Sequence, residues 1–291
     1  MTGVVAVTGA SGYLGSRIAD GFARDGWLVL RMSRGNPDAR FSFADGAPAG
    51  LFRDNGVTAL VHCAWDLTVS KRADLEALNV QGSIRLMEQA RAEGVKTIVF
   101  ISTISAFPGC KSDYGQTKLE VEEAARRLGA LVVRPGLVFG DQPGGMVGAL
   151  NGAVGKLPLV PLIGNGRQVL FPAHEDDVVA LIRRLVAQPD LVKPGEPVIA
   201  ASEQGWTFRR ILAELAARRG RKVRAVPIPW RAIWLPFKAA ESIGLRLSFR
   251  SDSVVSIVNQ DPSPDFAPTR AAGVTFRDFA PPTPTEDLLN A

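Results

Sequence analysis

Cysteine and histidine are both scarce here, with two of each in 291 residues. Cys63 and Cys110 cannot build a disulfide framework, and neither has a CxxC neighbour that would point to a metal. Cys63 lies in an apolar run and reads as a small buried hydrophobe. His62, in the same run, reads as a core histidine with its hydrogen bonds met. His174 reads as a helix cap, and neither histidine has carboxylate or cysteine spacing that makes a metal site. No apolar stretch is long enough to span a bilayer, which argues against a transmembrane protein. The chain enters a strand within three residues of Met1, leaving no room for a basic region and an apolar signal segment. A cytoplasmic location, with no membrane partner, is the expectation. Internal repeats, low-complexity tracts and nucleic-acid-reading motifs are also missing.

A hydrophobic content of 46% with 22% charged residues describes an ordinary globule, large enough for one α/β domain and a satellite lobe. The net charge of +5 would suit a polyanion, but most Lys and Arg residues lie among acidic neighbours. The densest cluster, Arg218-Arg219-Gly220-Arg221-Lys222 with Arg224, closes a helical pattern. Cations there complement the helix dipole, so a solvated helix end is the simpler reading and nucleic acid is not an expected partner.

The most informative segment is Thr8-Gly9-Ala10-Ser11-Gly12-Tyr13-Leu14-Gly15, directly after Val4-Val5-Ala6-Val7. A strand feeding a glycine turn and then a helix (Ser16 to Arg24) makes a phosphate cradle. Gly9 permits a tight turn, Gly12 lets backbone approach a pyrophosphate, and Gly15 lets helix and strand pack closely. The anion would lie at a helix N-terminus.

Strand-length apolar runs recur at Val4 to Thr8, Trp27 to Met32, Ala59 to Cys63, Thr97 to Ser102 and Leu131 to Arg134. The helical patterns between them, including Ala73 to Glu93 and Tyr114 to Leu128, give βαβ alternation. The expected fold is therefore α/β, a Rossmann-type doubly wound parallel sheet with a smaller C-terminal substrate lobe. A dinucleotide-binding core over 1–140 is expected, then a substrate lobe over 141–291 whose elements around 167–200 return to the core. Glycine and proline are dense from Pro143 to Gly166. Further helices are expected at about Glu175 to Ala187, Thr207 to Arg219 and Trp230 to Gly244, and Pro262 to Pro284 reads as irregular.

Tyr114 and Lys118 stand one turn apart at the start of a helix. A phenol with a reference pKa of about 10 is a poor base at neutral pH, and a nearby ammonium lowers that value. Tyr114 could then exchange a proton with a substrate alcohol or carbonyl, although such a spacing also serves an ordinary surface pair. Ser102 and Thr103 close the preceding strand at the sheet edge where ligands bind. A hydroxyl there could hold a substrate oxygen, or merely end the strand.

The chain resembles the extended short-chain dehydrogenase/reductase family, the NAD(P)-dependent epimerase/dehydratase group. The glycine turn is similar to its TGxxGxxG, Tyr114 and Lys118 to its YxxxK, and Ser102-Thr103 to its strand-ending hydroxyl pair. His62-Cys63-Ala64, Asn79-Val80-Gln81-Gly82, Arg134-Pro135-Gly136-Leu137-Val138-Phe139-Gly140 and His174-Glu175-Asp176-Asp177-Val178 resemble further family segments, in order from Thr8 to Val178. The resemblance implies that Tyr114 is the acid/base, that Lys118 lowers its pKa and binds nicotinamide ribose, and that Thr103 polarises the substrate oxygen, with Ser105 in reserve. Gly9, Ser11, Gly12, Tyr13, Leu14, Gly15, Ser33, Arg34, Asp45, Ala64, Lys118 and Pro135 then bind the coenzyme, Asp45 at the adenine. Asn79 supports active-site backbone or a water, and the two helices carrying Asn79 and Tyr114 form a homodimer contact.

No acid stands about 20 residues past the glycine motif to grip ribose hydroxyls. Arg34 and Ser33 suit a 2′-phosphate instead, so NADP is expected as the preferred cofactor over NAD. The resemblance implies an NAD(P)-dependent oxidoreductase or epimerase moving hydride at a secondary alcohol or ketone, with a nucleotide sugar as the favoured small-molecule substrate. One departure bears on that: sugar-nucleotide epimerases present an arginine four residues before the His-Val-Asp-Asp stretch, and here Leu170 stands there, with Arg167 as a nearby substitute. Trp206, Trp230, Trp234 and Phe237 read as core or as walls of a less polar crevice. The alternatives are a carbonyl reductase for a non-nucleotide substrate and a non-catalytic NADP(H) sensor.

Overall fold

The protein is described here from a computed structural model covering residues 3–157, 159–245 and 249–280. Its N-terminal elements are β1 (Val4–Thr8), α1 (Tyr13–Arg24), β2 (Leu28–Met32), α2 (Leu51–Asp54) and β3 (Val57–His62). A continuous helical stretch follows, made of α3 (Arg72–Asp74), a π-helical turn (Leu75–Val80) and α4 (Gln81–Ala92). Next come β4 (Thr97–Ile101), α5 (Asp113–Arg127), β5 (Leu131–Pro135), β6 (Leu137–Phe139), α6 (Gly145–Lys156), β7 (Leu159–Ile163), β8 (Val169–Leu170), β9 (Pro172–His174) and α7 (Glu175–Ala187). The chain closes through β10 (Pro197–Ala200), β11 (Trp206–Thr207), α8 (Phe208–Ala217), β12 (Arg224–Ile228), α9 (Trp230–Ser242), α10 (Ser251–Val258) and α11 (Ala267–Ala272).

Six strands form one parallel sheet in the order β10-β5-β4-β3-β1-β2. Alternation along each strand divides its side chains between two faces. Val5, Val7, Val99, Ile101 and Val133 pack under α1 and α7. Ala6, Ile98, Phe100 and Val132 pack under α4 and α5. Burial on both faces explains why the strands read as unbroken apolar runs. Each Val, Leu or Phe so covered contributes about 1.5–3 kcal/mol. The second lobe has its own core, in which Val147, Leu150 and Val154 of α6 meet Ile211, Leu212 and Leu215 of α8 beside Trp206.

Three local expectations change. Helix α6 occupies the glycine- and proline-dense stretch, where no helix is expected, because Val147, Leu150 and Val154 line one face and find a partner in α8. Packing there outweighs the poor helix propensity of Gly148, Gly152 and Gly155. The long helix toward Gly94 is interrupted by the π-helical turn that carries Asn79. Within the stretch expected to be irregular, Ala267–Ala272 is helical, with Pro268 in the first turn where its missing N–H costs nothing; positions 281–284 of that stretch lie outside the described residues.

His62 is fully buried at the end of β3. Its Nδ1 lies 2.7 Å from the Thr8 hydroxyl and its Nε2 2.9 Å from Ser83 Oγ. Thr8 Oγ1 already accepts the N–H groups of Cys63 and Ala64, so its own proton goes to Nδ1 and the ring carries its proton on Nε2. Burial, followed by the nearby Lys118 charge, pushes the His62 pKa down to about 3. The folded value is depressed below that of the unfolded chain, so the unfolded state binds the extra proton and stability is lost as pH falls from about 6.5 toward 3. Urea unfolding should show the wild type losing about 3 kcal/mol more than His62→Gln between pH 7 and pH 4. Equal losses in the two proteins would refute a neutral buried imidazole.

Candidate active site

The glycine turn closes β1 beside the β3 end, where the strand order reverses direction. Gly9 has φ +68°, and a Cβ there would stand 2.9 Å from Ala64 Cα. A Cβ on Gly15 would collide with the Gly9 carbonyl. Gly12 donates its N–H to Gly9 O at 2.8 Å, and Ser11 and Gly12 are exposed. No side chain caps α1, so its N-terminal amides remain available to an anion. The Tyr13 ring folds back against Gly144, where a Cβ would approach it to 2.7 Å. Its hydroxyl donates to Glu175, whose carboxylate also lies 3.2 Å from Arg17 Nε. Burial and the Glu175 carboxylate raise the Tyr13 pKa.

Ser112 caps α5 by accepting the Gly115 N–H at 3.1 Å. That cap sets Tyr114 in the first turn and Lys118 one turn later. Tyr114 faces a cavity of about 320 Å³ between the lobes, shared with Tyr13, Leu14, Thr103 and Ser105. Ser102 points elsewhere: it is buried and donates to Glu122, which also holds Arg134 at 2.6 Å. Of the strand-end pair, only Thr103 reaches the cavity.

Lys118 stands behind the cavity wall. It is 2% exposed and donates to Ile101 O at 2.7 Å, with its Nζ 3.9 Å from the Trp65 ring centre and 5.9 Å from that of Tyr114. Burial lowers its pKa to about 7. Lys118 is not among the groups that shift Tyr114 in this structure. Burial pushes the phenol up to about 12, and the opposing influences come from a Thr103 hydrogen bond and from Arg250. A buried ammonium aimed at a carbonyl adds little to phenolate stability.

Trp65, Arg250 and Asp252 also belong to this site, and the sequence reading missed them. Trp65 packs edge-on to Tyr114 with ring centres 5.9 Å apart, and its buried indole Nε1 has no partner among the described residues. Asp252, on α10, accepts the N–H of Asp113 at 3.0 Å and that of Tyr114 at 2.9 Å. The second lobe thus caps the helix that carries the phenol. Burial raises the Asp252 pKa despite those two N–H groups. Arg250 lines the cavity and donates to Val69 O at 3.0 Å, with no carboxylate in ion-pair range among the described residues. Trp65 directly follows a recognisable segment and was findable. Asp252 lies 138 positions beyond Tyr114, with no motif to mark it.

The remaining predicted positions lie outside the cavity. Ser33 and Arg34 follow β2, Arg34 exposed. Asp45 is also exposed and bonds Ser42 at 2.9 Å and Arg40 at 3.4 Å. Pro135 ends β5 and accepts the Ile104 N–H at 2.9 Å. Asn79 clasps the backbone of Asp66, accepting its N–H at 2.7 Å and donating to its carbonyl at 3.0 Å. His174 caps α7 by accepting the Asp176 N–H. Among the described residues no cluster of His, Cys, Asp and Glu could hold a metal ion.

A family model described as NAD dependent epimerase/dehydratase matches residues 5–201. The chain belongs to that family. A ceramide reductase of Caulobacter vibrioides is 27% identical over 241 residues, 78% of this chain and 74% of that protein. MoeE5 in complex with UDP-glucose and NAD shares the fold at 19% identity and a TM-score of 0.71, over 98% of this chain and 96% of that one. A UDP-glucose 4-epimerase from Thermotoga maritima, solved with UDP-glucose, does so at 23% identity and a TM-score of 0.65, over 78% and 85%. Membership makes an NAD-type dinucleotide the group to test against the site, and the uncapped α1 terminus with glycines that exclude a Cβ fits its diphosphate.

Proposed function

We propose that this protein is an NAD(P)(H)-dependent carbonyl reductase acting on an apolar, non-nucleotide ketone. Leu170 carries the reading: it lines the cavity at the position where a sugar-nucleotide enzyme would present an arginine. The proposed substitute, Arg167, is exposed and does not line the cavity. Leu67, Ile104, Val138, Phe171 and Ile257 complete an apolar wall that gains by desolvating hydrocarbon and offers little to a pyrophosphate. The ceramide reductase relative is named for a lipid substrate, in keeping with such walls.

Gly9, Gly12, Gly15 and the first turn of α1 would hold the coenzyme diphosphate, with Ala64 beside Gly9, and Pro135, at the end of β5, would meet the coenzyme farther along the sheet edge. The bound coenzyme supplies the hydride. Tyr114, protonated at neutral pH with its pKa near 12, donates its proton to the carbonyl oxygen as hydride reaches the carbon. Thr103, which lines the cavity beside the phenol, would steady the same oxygen. Asp252 holds Tyr114 by its backbone. Trp65 shields Lys118 from water, which keeps the ammonium directed by the Ile101 carbonyl. Arg34 and Ser33 give a preference for NADP. The homodimer reading pairs α4 with α5, whose exposed positions include Arg85, Glu88, Glu120 and Glu123.

Following NADPH and NADH absorbance with long-chain ketones and UDP-glucose tests both parts. Turnover of an apolar ketone with NADPH is expected, and Arg34→Ala should cost NADPH roughly tenfold in affinity while sparing NADH. Turnover of UDP-glucose alone would overturn the substrate reading. NADH binding that is tighter than NADPH binding in both proteins would overturn the coenzyme reading.

A further inference from the structure

We propose that the second lobe carries a docking surface for an anionic phospholipid bilayer, built on β7, β12 and α9. This goes beyond the chemistry proposed above. Among the described residues no helix is long and apolar enough to cross a membrane, so contact would be interfacial.

The charge distribution is the first observation. Between Leu215 and Ala240 the sequence holds seven Arg and Lys and no Asp or Glu. Arg218, Arg219 and Arg221 are engaged, with Glu214, Asn151 and Gly155 O respectively. Lys222, Arg224, Arg231 and Lys238 are exposed and form no ion pair with another described residue. The solvated helix end therefore accounts for the start of the cluster and leaves four cations beyond it.

Exposed hydrocarbon occupies the same elements. Of eight exposed large hydrophobic residues among those described, six fall between Leu157 and Leu245. Strand β7 pairs in parallel with β12, placing Leu159 opposite Arg224 and Pro161 opposite Val226. Paired residues share a face, and Val160 and Leu162 on the other face are buried in the lobe core. The outward face thus presents Leu159, Pro161 and Val226 around Arg224. Helix α9 buries none of its residues fully. Trp230, Trp234 and Phe237 are half-buried on its inner side, while Leu235 is 62% exposed between Arg231 and Lys238, and Ile243 beyond the helix is 76% exposed. Apolar groups interleaved with unpaired cations match a bilayer surface of negative potential, whose headgroups take the cations while the hydrocarbon enters below them. An acidic protein would satisfy the charge and a neutral one the hydrocarbon, but the mixture on consecutive elements favours lipid.

The surface also leads inward. A small cleft lined by Trp234, Lys238 and Glu241 is bounded by Arg250 and Asp252, which line the main cavity as well. An apolar substrate dissolved in lipid would thus meet the protein close to two residues that line the cavity.

Flotation of the full chain with vesicles tests the docking directly and requires no turnover. Vesicles of phosphatidylglycerol and phosphatidylcholine should bind at least about tenfold better than phosphatidylcholine alone, with the gain suppressed by high salt. The double variant Leu235→Glu/Ile243→Glu, at exposed positions that leave the core intact, should lose binding while keeping the wild-type circular dichroism. Arg231→Glu/Lys238→Glu should lose it in the same way. Failure to float with anionic vesicles at low salt would overturn the proposal. So would retention of binding by the Leu235/Ile243 variant together with competition by duplex DNA, since a surface acting by charge alone behaves in that way. Either result leaves the ketone assay unaffected, so the two readings fail separately.

Discussion

Tyr114→Phe should lower kcat by roughly 10²–10⁴-fold while coenzyme affinity changes less than about threefold. The substitution removes one oxygen from a ring that already packs against Trp65, and the α5 backbone bonds to Asp252 do not involve that oxygen. Folding should therefore be preserved. The proton that must reach the substrate oxygen has no comparable donor nearby: Thr103 is a much weaker acid, and Lys118 is directed at Ile101 O. Single-turnover absorbance of NADPH with a reducible ketone, beside coenzyme titration by fluorescence, separates the two effects. Unaltered turnover in Tyr114→Phe would sink the catalytic assignment. Coenzyme binding by the wild type with no substrate ever reduced would instead favour a sensor.

Lys118→Met should separate stability from activity. Burial lowers the Lys118 pKa from the usual lysine value to about 7, so the native state holds its proton more weakly than the unfolded chain. The cost of the buried charge is present in full below about pH 7 and is relieved as pH rises toward the unfolded value. Relative to wild type, Lys118→Met should therefore fare best at pH 6 and lose about 2–3 kcal/mol of that advantage by pH 9. Methionine fills similar volume beside Trp65 and Phe100, at the price of the bond to Ile101 O. Turnover should meanwhile drop by about 10²-fold if Lys118 holds the nicotinamide ribose, the role that the family resemblance implies for it. Chemical denaturation at the two pH values gives the first result and steady-state kinetics the second. A relative stability that does not move with pH would show that Lys118 is not titrating from a buried state.

Much of the fold was legible because its causes are local. The run Val4 to Val7 followed by spaced glycines states a strand, a turn and a helix, and the βαβ alternation then leaves few arrangements for a sheet covered on both faces. Helix α6 was not legible, since its glycines speak against helix and its justification lies in α8, more than 50 positions away. The Tyr114 and Lys118 pair was visible as spacing. Its electrostatics were not, because spacing along a helix says nothing of which groups are covered.

By itself, then, the sequence determined the glycine cradle, the order of strands and helices, and the face shared by Tyr114 and Lys118, all of which depend on neighbours within a few residues. Tertiary structure alone decided that Asp252 caps the helix carrying Tyr114, that Leu170 and an apolar wall line the cavity, and that burial keeps the Tyr114 phenol protonated. These follow from burial and from contacts between distant segments, and solvation in the folded chain is a property of the assembled lobes that no local pattern encodes.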